Sequence, residues 1–233
     1  MSDSSRYPEP QPIEPAGGVA GRADQRAQVA SRVIFGQVMF LVAATLGFTA
    51  AGAWIGRDLS GGAAIGFWIA AFVVVLALGF VRKARQGGLA MGLLFGLGLL
   101  LGLAIGPTLK AYTTVEGGSA ILWQAAGLTA LFVAGAGTYG WATRRDLTQA
   151  ARVAFWALLG LIVFGIVAIF VSIPQSHIIY SVIGLVIFAV WTAFDFQRLR
   201  RAREEDAVLL AVSIYLDIFN IFLFILSLLG GNR

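Results

Sequence analysis

The sequence contains no cysteine and a single histidine, His177, in 233 residues. The first absence excludes disulfides, thiolate nucleophiles and cysteine-ligated clusters. The second excludes a metal site built from several histidines of one chain. Charge is scarce too: Asp, Glu, Lys and Arg make up 12% of the chain, about half the share usual in soluble proteins. There is no GxSxG and no HExxH segment, so the familiar serine and zinc hydrolase patterns are missing. No catalytic residues and no cofactor are expected, and an intramembrane enzyme is the least favoured reading.

What is present is apolar. Hydrophobic residues make up 58% and the mean hydropathy is +0.83, the profile of an integral membrane protein. Repeated apolar stretches reach the length that a helical span requires. The formal charge of +5 does not point to nucleic acid, because the basic residues cluster in short loops between apolar runs, where they set topology. Residues 1–28 are polar and rich in Pro, Ser and Gly. They read as a disordered cytoplasmic tail ahead of a seven-helix transmembrane domain over 29–233. The tail lacks the order of a signal peptide, so the first apolar run is expected to be retained.

Seven spans are predicted, at about 32–55, 62–82, 88–108, 119–141, 152–173, 177–197 and 207–229, each long enough to cross roughly 30 Å of hydrocarbon. Orientation follows from Lys and Arg. With the N-terminus inside, 14 basic residues fall on the inner side and three, Arg57, Lys110 and Arg233, on the outer side. A cytoplasmic N-terminus and an external C-terminus are therefore expected. The Gly92–Gly96 pair is read as a small-xxx-small packing step, with Ala134, Gly135 and Gly137 in a similar role. Pro107 and Pro174 are expected to end spans. Trp54, Trp123, Trp141, Trp156 and Trp191 read as anchors at the membrane boundary, and His177 as an interfacial residue.

Two aspartates stand out against this background. Asp195 closes the sixth apolar run and Asp217 lies inside the seventh. A lone carboxylate in hydrocarbon is costly, so such residues face a protein interior, a cavity or a partner. Asp217 is ten residues past Ala207, about 15 Å along a helix and near mid-membrane. Asp195 lies just before Arg198, nearer the inner end. Three readings stay open: each Asp bonds a neighbouring helix, each sits in a static ion pair, or the two form a titratable, cation-coordinating pair. Two carboxylates in a low-dielectric site resist being ionised together and share a proton. A divalent cation such as Ca²⁺, which takes hard oxygen ligands, neutralises them in another way. Proton and Ca²⁺ then compete, and two carboxylates alone suit transient passage better than storage. Asn220, three residues past Asp217, shares its helical face and can donate to it or line a pathway. Tyr215, Gln197 and Thr192 are weaker neighbours.

The same residues carry a family resemblance. TAFDFQRL at 192–199, IYLDIFNIFLFILSLLGG at 214–231, GLTALFVAGAGTYGWATRRDLT at 127–148 and GPTLKAY at 106–112 resemble the Bax inhibitor-1 (transmembrane Bax inhibitor motif) family in a bacterial form. The resemblance covers roughly residues 28–233. It implies seven helices with the C-terminal one central among the other six. It also implies a pH-sensitive calcium leak in which Asp195 and Asp217 match the carboxylate dyad. A basic residue of the second helix latches that dyad in the family, and Arg82 is the nearest candidate here. The leading expectation is thus a passive, pH-gated Ca²⁺ leak or weak cation channel whose partners are the lipid bilayer, protons and calcium ions. The alternatives are a proton-coupled transporter, for which a clear inverted repeat is missing, and a regulatory protein that binds other membrane proteins such as a quality-control protease.

Overall fold

A computed structural model of the chain describes residues 16–80, 87–171 and 175–231. Seven helices follow one another: α1 (Ala16–Gly56), α2 (Gly61–Phe80), α3 (Gly87–Thr113), α4 (Gly118–Ala142), α5 (Thr148–Phe170), α6 (Ser176–Leu199) and α7 (Ala207–Gly230). A short 3-10 turn, Glu204–Asp206, leads into α7. No strand occurs among the described residues. All seven helices are long and apolar enough to span a bilayer, and helices satisfy their backbone groups internally where no water is present to do so. The fold is the expected all-α, seven-helix membrane architecture.

Two boundaries differ from the sequence expectation. The first helix begins at Ala16, inside the segment that composition places in the tail, although its spanning part starts at Ser31. Residues 16–30 hold five alanines with Gln and Arg, all good helix formers, and the apolar helix that follows supplies a nucleus for them to extend. Residues 1–15 lie outside the described residues. The second difference is Pro107, which does not end α3; the helix runs through it to Thr113. Proline removes one N–H and crowds the carbonyl four residues back, at Leu103. The backbone of α1 at Gly56 packs against Leu103 and Gly106, so tertiary contact holds the helix across the break. Pro174 lies outside the described residues.

The helices alternate in direction. One end of the bundle, here called the basic end, carries Arg144, Arg145, Arg152 and the run Arg198–Arg203. The opposite, distal end carries Arg57 and Lys110.

Between α1 and α3 the backbones nearly touch. A Cβ on Gly98 would meet the Thr45 carbonyl, one on Gly102 the Thr49 carbonyl, and one on Gly106 the Ala53 carbonyl. From the other side, Gly52 and Gly56 face Leu99 and Leu103. The constant offset marks two parallel helices meshed through small residues at every fourth position. Lipid tails are as apolar as leucine, so close approach and dispersion take over the role that the hydrophobic effect plays in water. The expected step, Gly92–Gly96, is not the one used: both glycines have open space where a side chain would go. Two overlapping four-residue series run through this glycine-rich helix, and the register of α1 selects the other. In α4, Gly137 meets the Phe196 ring and Gly140 the backbone at Ala193, whereas Gly135 faces open space.

The C-terminal helix occupies the centre. In its most apolar stretch 56% of residues are buried in the protein, against 11% for α2 and 17% for α5. It packs on α1, α3, α4 and α6. α2 reaches it through Trp68, whose ring lies 5.9 Å from that of Phe219, while α5 packs mainly on α6. The basic half of α7, with Leu210, Ile214 and Tyr215, shares a core with α1 and α3. Its distal half, with Ile221, Phe224 and Ile225, shares one with α4, α5 and α6. Trp54, Trp123 and Trp156 are exposed, as membrane-boundary anchors should be. Trp141 instead packs edge-on against Phe35 at 5.3 Å, and the Trp191 ring nitrogen is buried.

Candidate functional site

The pairing of α6 with α7 follows a single antiparallel register. His177 lies against Gly231, the Phe224 ring fills the notch at Gly184, Thr192 lies beside Asp217, and Ser213 bonds Asp195. The numbers fall on one helix as they rise on the other. This register resolves the depths of the two aspartates. Asp195 stands opposite Ser213, and Asp217 lies one turn, about 5.4 Å, further from the basic end, opposite Thr192.

The two carboxylates are bound very differently. Asp195 is wholly buried and both of its oxygens are engaged. Oδ1 accepts from Arg198 at 3.1 Å and Oδ2 accepts from the Ser213 hydroxyl. Arg198 is half-exposed and reaches its partner from the next turn of the same helix, the i,i+3 geometry in which side chains meet. Asp217 is 5% exposed, and its Oδ2 has no hydrogen-bond partner. The Thr192 hydroxyl is close by but short of hydrogen-bond geometry, and it too is buried without a partner. The α6–α7 register puts Asp195 about one turn from Asp217, yet among the described residues no hydrogen bond joins the two. A buried carboxylate oxygen without a partner is costly; a proton or a passing cation would remove that cost.

Above Asp195, at the basic end, a cavity of about 280 Å³ is lined by Asp146, Gln197, Arg198, Arg201 and Asp206 among others. Arg198 therefore bridges this polar basin to the buried carboxylate. Gln197 fixes the basin wall: its Oε1 accepts from the Leu147 amide at 3.1 Å and its Nε2 donates to the Arg145 carbonyl at 2.6 Å. Arg200 donates to the Trp141 carbonyl at 2.7 Å. Together they pin the α4–α5 connection to the end of α6. At the start of α5, the Thr148 hydroxyl and amide donate to Asp146 and hold its carboxyl below the usual range.

On the distal side of Asp217 the interior is closed by aromatic rings. Phe224, seated at Gly184, lies 5.6 Å from Tyr180 and 5.8 Å from Phe188 between ring centres. Beyond them Tyr112 packs on Gly230 and His177 on Gly231. Ser181, on the same stretch of α6, is another buried hydroxyl without a partner.

The remaining candidates separate. Asn220 donates its amide to the Leu216 carbonyl of its own helix at 2.7 Å; this local back-bond draws it away from Asp217. Tyr215 hydrogen-bonds Thr49 of α1 at 2.8 Å and ties the central helix to the α1–α3 pair. Arg82 lies outside the described residues, as do Lys83 and Arg85. The cation that does meet Asp195 is Arg198. Sequence reasoning counts it only among the topology charges, though its spacing of three residues from Asp195 is the signal that finds it. Ser213 carries no such signal, because only the register of two helices reveals it. Among the described residues, no three His, Cys, Asp or Glu side chains gather to hold a metal ion.

Comparison with known proteins agrees with this architecture. The family model described as Bax1-I, "Inhibitor of apoptosis-promoting Bax1", matches residues 31–233. An uncharacterized protein of Caulobacter vibrioides is 32% identical over 174 residues, covering 70% of this chain and 68% of that protein. An uncharacterized protein of Helicobacter pylori is 27% identical over 164 residues, 70% of each. The inner membrane protein YbhL of Escherichia coli is 28% identical over 184 residues, 72% of this chain and 76% of its own length.

Proposed function

The chain belongs to the Bax inhibitor-1 family, and from that premise we propose that it is a pH-sensitive passive calcium leak, a weak cation channel of the bacterial inner membrane gated by Asp195 and Asp217. Membership of this family is consistent with a passive ion-transport role. One observation carries the finer reading: Asp217 presents a buried carboxylate oxygen with no partner, one helical turn from a second buried carboxylate that is already satisfied.

In the closed arrangement Arg198 and Ser213 neutralise Asp195, and a proton on Asp217 removes its desolvation cost. Raising the pH removes that proton. Two negative charges then lie within a turn of each other, balanced by one half-exposed arginine, and their repulsion favours a looser α6–α7 packing. Loosened, the site offers two carboxylates with the Ser213 and Thr192 hydroxyls, the hard oxygen donors that Ca²⁺ takes. Ca²⁺ is the cargo, and so few ligands suit brief occupancy. The basic end faces the cytoplasm by the excess of Lys and Arg there, so the polar basin beside Arg198 is the inner mouth and the Phe224 cluster the outer barrier.

The test is Ca²⁺ flux from liposomes containing the purified protein, followed across pH. Flux should depend on pH, and D195N/D217N should abolish that dependence. An unchanged flux and pH response in the double variant overturns the proposal. Uphill accumulation driven by a proton gradient would mark a coupled transporter instead.

A further inference from the structure

The wrap of helices around α7 has a seam. At the basic end α1 and α4 touch through Phe35 and Trp141. Toward the distal end they part and leave an apolar chamber of about 450 Å³. Its walls include Leu46 and Ala50 of α1 and Ala126 and Ala130 of α4; its floor is Ile218 and Phe222 of the central helix. These wall residues are exposed, so the chamber opens sideways into the membrane. Two threonines line it, and neither has a hydroxyl hydrogen to spare for a polar guest. Thr49 is spent on Tyr215 and the Thr45 carbonyl, and Thr129 on the Ala125 carbonyl. An apolar chain is the guest that such a wall accepts.

The chamber continues, through Ala50, Ala53 and Leu109, into a second space of about 540 Å³ at the distal end. The charged groups lining it are Arg57, Asp58 and Lys110. Lys110 donates to Asp58 at 2.5 Å and Arg57 Nε to the same carboxylate at 3.3 Å. The Arg57 guanidinium lies 4.0 Å over the Trp54 ring, which holds it at the mouth. Two cations face one carboxylate, and each keeps donors beyond those spent on Asp58. The mouth therefore carries one net positive charge beside an apolar slot of open side, the complement of an anionic headgroup on an acyl chain.

We propose that the α1–α4 seam binds one anionic phospholipid, its acyl chain against Ile218 and Phe222 of α7 and its phosphate between Arg57 and Lys110. The lipid comes from the leaflet at the distal end and completes the surround of the central helix where no helix covers it.

Native mass spectrometry of the full chain released from nanodiscs tests the proposal. The nanodiscs contain equal amounts of phosphatidylglycerol and phosphatidylcholine, and glycerol 3-phosphate is added in a separate arm. One retained phosphatidylglycerol is expected, favoured over phosphatidylcholine by about fivefold, the ratio that one net charge near a membrane surface gives. Glycerol 3-phosphate alone should not be retained, because it has no chain. R57Q/K110Q changes only exposed side chains and should lose or reverse the headgroup preference. A130F, which fills the chamber, should reduce retention of both lipids. Equal retention of the two lipids by the unaltered chain overturns the proposal, and so does a phosphatidylglycerol preference that survives R57Q/K110Q. Should A130F fail to fold, A126L tests the same chamber about one turn away on its α4 wall. Retention unchanged in a folded chamber variant places the lipid elsewhere and also overturns the proposal.

Discussion

If the proposed leak operates, replacing Arg198 by Gln should move its pH response toward higher pH by about one unit. The guanidinium is 3.1 Å from Asp195 Oδ1. Two unit charges about 4 Å apart attract by roughly 4 kcal/mol at the effective dielectric of a protein surface. Asp195 is wholly buried but the Arg198 side chain is 49% exposed, so water screens much of this and about 1–2 kcal/mol remains. At 1.36 kcal/mol per pH unit, that is about one unit. The sign follows from charge. Arg198 offsets the charge of Asp195, so without it that charge bears more fully on Asp217, the proton is held to higher pH, and the closed form persists further into the alkaline range. R198K keeps the charge but loses the planar fork and should shift the midpoint by less than half as much. The assay is Ca²⁺ efflux from liposomes carrying an internal indicator, measured at closely spaced pH values. A midpoint for R198Q within about 0.3 unit of the unaltered protein, or one displaced toward acid, refutes the reasoning.

Three further outcomes are expected. F224A opens the notch at Gly184 and should raise the basal leak at acid pH, where the gate is otherwise shut; removing a packed phenylalanine also costs about 3–5 kcal/mol of stability, so folding is checked by gel filtration beside the flux. G102A places a methyl against the Thr49 carbonyl in the α1–α3 interface and should destabilise by about 1–3 kcal/mol, seen as a lower Tm, whereas G96A, with open space at its site, should leave Tm unchanged. At the distal end, hydrogen bonds from Lys110 and then Arg57 hold the Asp58 carboxyl below its ordinary value. A lowered folded-state value contributes stability above the unfolded pKa and loses it as pH falls through the folded one, so D58N should flatten the dependence of Tm on pH in the range below about pH 4.

The spans were legible because each reports its own composition. Twenty-odd apolar residues in a row suffice, and even Asp217 and Asn220 do not hide α7. The packing was less legible, because it depends on register between helices. The third helix offers Gly92 and Gly96 as readily as Gly98, Gly102 and Gly106, and nothing within it says which series α1 will meet. Pro107 reads locally as a stop, yet the α1 backbone carries the helix past it. For the candidate site, the two carboxylates are visible as costly charges, but their partners are not. Arg198 is legible only if topology charges are also tested for i,i+3 contacts. Ser213 and Thr192 are ordinary hydroxyls of apolar helices until the α6–α7 register sets them opposite Asp195 and Asp217.

That register makes the two aspartates unequal, and the inequality bears on any gate they form. Asp195 has a cation, a hydroxyl and a polar basin beside it, so its charge is supported on the basic side whether or not a proton arrives. Asp217 has a partnerless oxygen, a neighbouring threonine whose hydroxyl is also without a partner, and aromatic rings beyond. In the proposed gate, the group with less support for its charge is the one whose protonation changes most between two packings of α6 and α7, so Asp217 would be the sensor and Asp195 the fixed charge that it senses. Single substitutions separate these roles. D217N should leave a leak with no pH response, because the titrating group is gone. D195N removes the repelling charge, so a response should remain with its midpoint displaced toward acid. If instead the two variants behave alike, the dyad titrates as one shared site, and the asymmetry of the resting structure does not survive gating.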